Sequence, residues 1–94
     1  MNGAARLGDI LSDGDVIVMG SGNVFINGMP AVRVGDATSG HGCFPPTTIA
    51  TGSTTVFVNG LPMVRKTDTS VPHACVIVVD FGTVSNSSSD VFVG

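Results

Sequence analysis

Shifted by 32 positions, this chain lies on itself without a gap. Residues 17–44 fall on residues 49–76, and thirteen of the 28 pairs are identical. They are Ile17/Ile49, Gly20/Gly52, Ser21/Ser53, Val24/Val56, Phe25/Phe57, Asn27/Asn59, Gly28/Gly60, Pro30/Pro62, Val32/Val64, Arg33/Arg65, Asp36/Asp68, His41/His73 and Cys43/Cys75. Composition alone does not produce that register, and a period of this length marks a fold assembled from one repeated unit. Partial copies flank the two full ones. Ala4-Ala5-Arg6-Leu7-Gly8-Asp9 echoes Ala31-Val32-Arg33-Val34-Gly35-Asp36, and Val91-Phe92-Val93-Gly94 echoes Val24-Phe25-Ile26-Asn27. Joined in a circle, the two ends supply most of a third unit. The expected organisation is one domain over residues 1–94, with units at about 17–44 and 49–76 and a third split between 1–16 and 77–94.

Each full unit carries the marks of a β-hairpin. Val24-Phe25-Ile26 and Val56-Phe57-Val58 are β-branched and aromatic, which suits strands. Asn27-Gly28 and Asn59-Gly60 follow directly, and Asn-Gly suits a type I′ turn because both central residues need positive φ. The return strands are expected over Met29–Val34 and Leu61–Lys66, with Pro30 and Pro62 near their starts, where a missing N–H does least harm. Val16–Met19 and Val76–Val79 are further strand candidates, and the Ser-rich stretch Thr83–Asp90 reads as a loop. Thirteen glycines imply many turns, and no segment sustains helical spacing between breakers. The expected class is all-β. With no Trp or Tyr, the core must come from aliphatic residues and five Phe.

The sharpest chemical feature is a pair of His-x-Cys steps, His41-Gly42-Cys43 and His73-Ala74-Cys75, at the same point of both units. In an extended segment residues i and i+2 share a side, so each step can aim an imidazole and a thiolate at one point. Two such steps make a closed tetrahedral set for zinc, which leaves no open position and reads as structural metal. The metal candidates are therefore His41, Cys43, His73 and Cys75. The alternatives are a Cys43–Cys75 disulfide, or inert side chains. Asp13 and Asp15, beside Ser12 and Gly14, are turn residues or metal ligands, and the turn reading is preferred. Arg6-x-x-Asp9, Arg33-x-x-Asp36 and Arg65-x-x-Asp68 recur once per unit. They read as local pairs and turn caps rather than as a ring for a partner. No glycine-framed nucleophile stands near a base, and the chain contains no Glu, so no catalytic set emerges.

Charge narrows the partners. Net charge is −3, and the four cations, Arg6, Arg33, Arg65 and Lys66, do not form a basic patch. Nucleic acid, which demands clustered Lys and Arg, is not an expected partner. Charged residues make up only 12%, against about a quarter in ordinary soluble domains. Such a count suits a protein that hides surface against a partner. Residues 1–6 lack a basic start followed by a long apolar run, so synthesis in the cytoplasm without a signal peptide is expected.

Val24-Phe25-Ile26-Asn27-Gly28-Met29-Pro30-Ala31-Val32-Arg33-Val34-Gly35-Asp36, residues 56–68 and Asn2-Gly3-Ala4-Ala5-Arg6-Leu7-Gly8-Asp9 resemble the units of PAAR-repeat proteins. No copy of the Pro-Ala-Ala-Arg motif is complete: the chain has Gly3-Ala4-Ala5-Arg6, Pro30-Ala31-Val32-Arg33 and Pro62-Met63-Val64-Arg65. The resemblance implies a small cone of short strands with pseudo-threefold repeats and a metal-stapled apex. It implies a non-enzymatic membrane-piercing tip, one per trimeric spike with a C-terminal β-helix, in a type VI secretion system or a contractile phage tail. An adaptor that docks effectors onto such a spike is the alternative role. His41, Cys43, His73 and Cys75 carry over as apex ligands, for zinc or else iron. Asp13 stands about where some members place a His before Gly, so a second Cys would complete the set.

Overall fold

The structure is a computed structural model and describes residues 2–94. Among these residues there is no helix, and the fold is all-β, as the hairpin signals require. Eight short strands appear: β1 (Asn2–Gly3), β2 (Phe25–Ile26), β3 (Met29–Pro30), β4 (Phe57–Val58), β5 (Leu61–Pro62), β6 (His73–Cys75), β7 (Val78–Asp80) and β8 (Phe92–Val93). They form four antiparallel pairs, β1–β8, β2–β3, β4–β5 and β6–β7. The Asn-Gly turns behave as their chemistry dictates. Asn27 and Gly28 have φ of 53° and 80°, and Asn59 and Gly60 have 53° and 79°, the values of type I′ turns. β8 lies on β1 in the same register in which β2 lies on β3, with Phe92 opposite Gly3 as Phe25 is opposite Pro30.

The return strands are far shorter than the expected runs 29–34 and 61–66. After Pro30 and Pro62 the chain leaves its own hairpin and bridges its neighbours. Arg6 pairs with Ala31, Arg33 with Met63, and Arg65 with Ala4, which closes a circle. A second circle of hydrogen bonds runs inside it. Ala5 N–H donates to Val64 O (3.0 Å), Val64 N–H to Val32 O (2.9 Å), and Val32 N–H to Ala5 O (3.2 Å). Backbone groups that would have extended each hairpin are satisfied across units instead, so the strands stay short without leaving those groups unpaired.

Ala5, Val32 and Val64 face one another on the axis of this ring and are fully buried, with Leu11, Ile17, Ile49 and Val84 around them. A second apolar cluster, Ala4, Ala31, Val58, Met63 and Val93, lies beneath the hairpins. Three buried carboxylates stand around the ring. Asp36 accepts from Arg33 N–H (2.8 Å), Nε (3.0 Å) and Nη2 (2.9 Å), and Asp9 and Asp68 take the same bonds from Arg6 and Arg65. The Arg-x-x-Asp steps are thus local ion pairs that tie each turn.

One substitution in the repeat has a steric reason. Gly20 packs on Pro30 and Gly52 on Pro62, and a Cβ on Gly20 would stand 2.8 Å from Pro30 Cβ and 3.0 Å from Ala31 O. In the unit made by the chain ends the small residue changes sides: Gly3 replaces the proline, and Ser87 takes the place opposite it. Gly20→Ala is expected to destabilise by about 1–3 kcal/mol through overpacking, measurable as a lower urea midpoint with an unchanged slope.

Two strand candidates fold differently. Val16–Met19 makes only single bridges, Val16 with Ile10 and Ile17 with Thr38, because each residue is shared between two neighbours. Val76–Val79 is not one strand: Val76 and Ile77 form a tight turn between β6 and β7, with Cys75 opposite Val78. The body is elongated, 37 × 24 × 21 Å.

Candidate metal centre

Two turns and a strand converge beside the first core cluster. The 11–15 turn is held by Leu11 N–H to Asp15 O (2.8 Å) and Gly14 N–H to Leu11 O (3.0 Å), with Gly14 at φ +97°. Asp13 Oδ1 closes it by accepting from Asp15 N–H (3.1 Å), which leaves Oδ2 free to face inward. A second turn pairs His41 with Phe44 through two backbone bonds, and Gly42 supplies a φ of +54°. The first His-x-Cys step is therefore a tight turn rather than the expected extended segment, because Gly42 adopts the left-handed region. The second step is extended as expected, on β6, with His73 opposite Asp80.

One nitrogen or oxygen each from Asp13, Asp15, His41 and His73 lie within 4.8 Å of one another. The two imidazole centroids are 5.0 Å apart, and Phe44 stacks on His41 and tilts against His73. His73 is buried, and its Nδ1 is 2.7 Å from Pro45 O. A carbonyl only accepts, so Nδ1 carries the hydrogen, and Nε2 is the atom whose lone pair can serve a metal. Nε2 faces Asp13 Oδ2 at 3.4 Å, and both atoms are buried without a hydrogen-bond partner. Two acceptors directed at each other in a buried site repel unless a metal ion or a proton lies between them. Their spacing is near the roughly 3.3 Å edge of a tetrahedron of ~2.0 Å metal–ligand bonds. An imidazole fixed through Nδ1–H to a backbone carbonyl is also the usual support of a metal-ligating histidine. The donor chemistry thus fits a divalent cation that accepts nitrogen and oxygen, such as zinc or iron.

The structure divides the four sequence-nominated ligands into two couples. It brings His41 and His73 together, in the company of Asp13 and Asp15. It joins Cys43 to Cys75 as a disulfide between the two units, with Cα atoms 5.5 Å apart. Asp13 and Asp15, favoured as turn residues, serve the turn and also face the histidines. The repeat held a signal for them. His41 and His73 lie five residues past Asp36 and Asp68, and the same step from Asp9 reaches Gly14, which Asp13 and Asp15 flank.

His41 Nδ1 is 3.2 Å from Asp15 Oδ1, and its Nε2 is 3.4 Å from Asp80 Oδ2. The bond to Asp15 raises the His41 pKa above the ordinary 6.5, against an opposing effect of burial, and the charges of Asp13, Asp15 and Asp80 add to the rise. A base raised in the folded state contributes stability that is complete below its unfolded value and lost as pH rises through the folded one. Metal-free protein is therefore expected to lose a His41-dependent increment of melting temperature as pH rises above 6.5 into the alkaline range, and His41→Gln should remove that increment. Parallel thermal melts of both chelated proteins across that range check it.

A comparison with known families bears on this geometry. The family model described as PAAR motif matches residues 7–79, most of the chain and both His-x-Cys steps. No curated protein gives a significant match. With a match of that extent, the chain belongs to the PAAR-motif family.

Proposed function

We propose that this protein is a non-enzymatic tip that caps and sharpens the distal end of a trimeric β-helical spike in a contractile injection machine, for passage through a membrane. The observation that carries this reading is a triplet of phenylalanines. Phe25, Phe57 and Phe92 are exposed by 55%, 56% and 54%, one on each of β2, β4 and β8. Side chains alternate along a strand, so their neighbours Ile26, Val58 and Val93 turn inward while the three rings face out. One chain thus presents the same apolar feature three times in matching surroundings. A surface with threefold repetition is complementary to the end of a threefold assembly, with one tip to three spike chains. The low charge content fits a face that is covered in use.

The apex would be held by metal. His41 and His73, with Asp13, would ligate it, and in a reduced chain the thiolates of Cys43 and Cys75 offer the alternative completion. A bound cation would cross-link the 11–15 turn, the 41–44 turn and β6, as a structural element. The Arg-Asp turns and the closed backbone circle keep the body rigid, so force applied at the base reaches the apex.

Purification of the protein from the cells that produce it tests the reading. A β-helical trimer should accompany it at one tip per three spike chains by native mass spectrometry. Simultaneous Phe25→Ser, Phe57→Ser and Phe92→Ser should release it, with folding retained because all three side chains are exposed. Absence of any such trimer would overturn the assignment.

A further inference from the structure

The β6–β7 hairpin has a turn that its backbone does not favour. The other two-residue hairpin turns carry Asn27-Gly28 and Asn59-Gly60, and the His41–Phe44 turn uses Gly42. Here the turn is Val76-Ile77, and Val76 holds φ +57°, a region that disfavours β-branched side chains strongly. Neither side chain is recompensed by packing. Val76 is 94% and Ile77 91% exposed, and Val78, Val79 and Phe81 behind them are also exposed. Only the first of the two central residues has positive φ, so a sequence that selected only for folding would place Gly at position 76. The apolar pair must be of use outside the chain.

The surroundings indicate what meets it. No charged residue occurs from residue 69 to residue 79. The one charge on the hairpin, Asp80, is directed at His41 Nε2 at 3.4 Å. Hence the projecting end carries no ion to desolvate and no cation to bind a lipid phosphate. It is also convex. Two branched aliphatics at the end of a narrow projection offer little flat area to a protein partner, whereas a deformable apolar medium accepts them readily. The acyl region of a bilayer is such a medium, and a short wedge reaches it with the ladder bonds of β6 and β7 still made.

We infer that the β6–β7 hairpin is a lipid-inserting wedge, with Val76 and Ile77 entering the acyl region of a bilayer by apolar transfer rather than by headgroup charge. The inference deepens the tip reading by naming what the tip meets first. Vesicle binding needs no spike, so partition into lipid and capture of a trimer can fail independently.

Flotation of the full chain with phosphatidylcholine vesicles tests it. The native protein should float with the vesicles, to the same extent with or without added phosphatidylglycerol and at low or high salt. The double variant Val76→Gly, Ile77→Asn should partition at least tenfold more weakly while melting at the same temperature or higher, because it places glycine at the one turn position with positive φ. Ile77→Lys, which keeps the backbone of the turn, should also partition at least tenfold more weakly. No flotation of the native protein, equal flotation of the variants, or binding that follows anionic lipid would overturn the inference. So would concentration-dependent dimers that the double variant abolishes without any effect on flotation.

Discussion

Chelation of the metal-loaded protein is expected to lower its melting temperature by about 10–20 °C, and His73→Ala is expected to do the same without chelator. A ligand that binds only the folded state stabilises by about 2.7 kcal/mol at a hundredfold excess over its Kd. A domain of this size shifts by roughly 4–8 °C per kcal/mol, which sets the range. His73 is the better probe because its ring is fixed: Nδ1 is spent on Pro45 O, and Nε2 has no partner but Asp13 Oδ2 across the gap. Elemental analysis should find one metal per chain in the native protein and almost none in His73→Ala. Chelator should then leave the variant's melting temperature unchanged. A second comparison separates the two ligand sets. If Asp13 completes the site, Cys43→Ser with Cys75→Ser leaves the metal content intact and Asp13→Asn reduces it. If the thiolates complete it, the order reverses. A native protein without metal would sink the centre.

Arg33→Ala is expected to destabilise the fold by about 2–4 kcal/mol, and Asp36→Ala by less, about 1–3 kcal/mol. The asymmetry follows from burial. Asp36 is buried, and every donor it has comes from Arg33, so removal of Arg33 leaves a carboxylate with one backbone N–H. The guanidinium is more exposed and can turn to water when Asp36 is lost, leaving chiefly the Arg33 N–H unpaired. Arg33 also donates to Asn59 Oδ1 (3.0 Å) in the next unit, so its removal loosens the circle between units as well as its own turn. The pairing accounts for a raised Arg33 pKa, with the side-chain bond to Asp36 as the main cause. Urea unfolding of the two single variants and the double variant gives the coupling; equal single effects would mean that burial of Asp36 is not what matters.

Much of this was legible before any coordinates. The 32-residue shift, the Asn-Gly pairs and the Arg-x-x-Asp steps are local codes, and each acts within a few residues of itself. A type I′ turn needs only its two central residues, and an Asp accepts from the Arg three positions before it wherever the unit sits. The expected all-β class, the hairpins and the local ion pairs rest on such codes. The lengths of the strands do not. Pairing within a hairpin competes with pairing between units, and the second is visible only when Ala4, Ala31 and Met63 stand beside Arg65, Arg6 and Arg33.

The centre divides along the same line. The two histidines announced themselves by recurrence, since a repeat that meets on an axis brings equivalent side chains together. Asp13 and Asp15 break the repeat, and nothing local distinguishes an aspartate that only closes a turn from one that closes it with one oxygen and aims the other inward. Likewise, Val76–Val79 has the composition of a strand, and its reversal at Val76-Ile77 follows from the pairing of Cys75 with Val78. The sequence by itself thus determined the repeated hairpin, its turns and the His-x-Cys steps, because those depend on neighbours in the chain. Only the tertiary structure decided which units pair, that Asp13 faces His73, and that Cys43 meets Cys75. Those contacts form between segments far apart in the chain, and no residue near either partner encodes their distance.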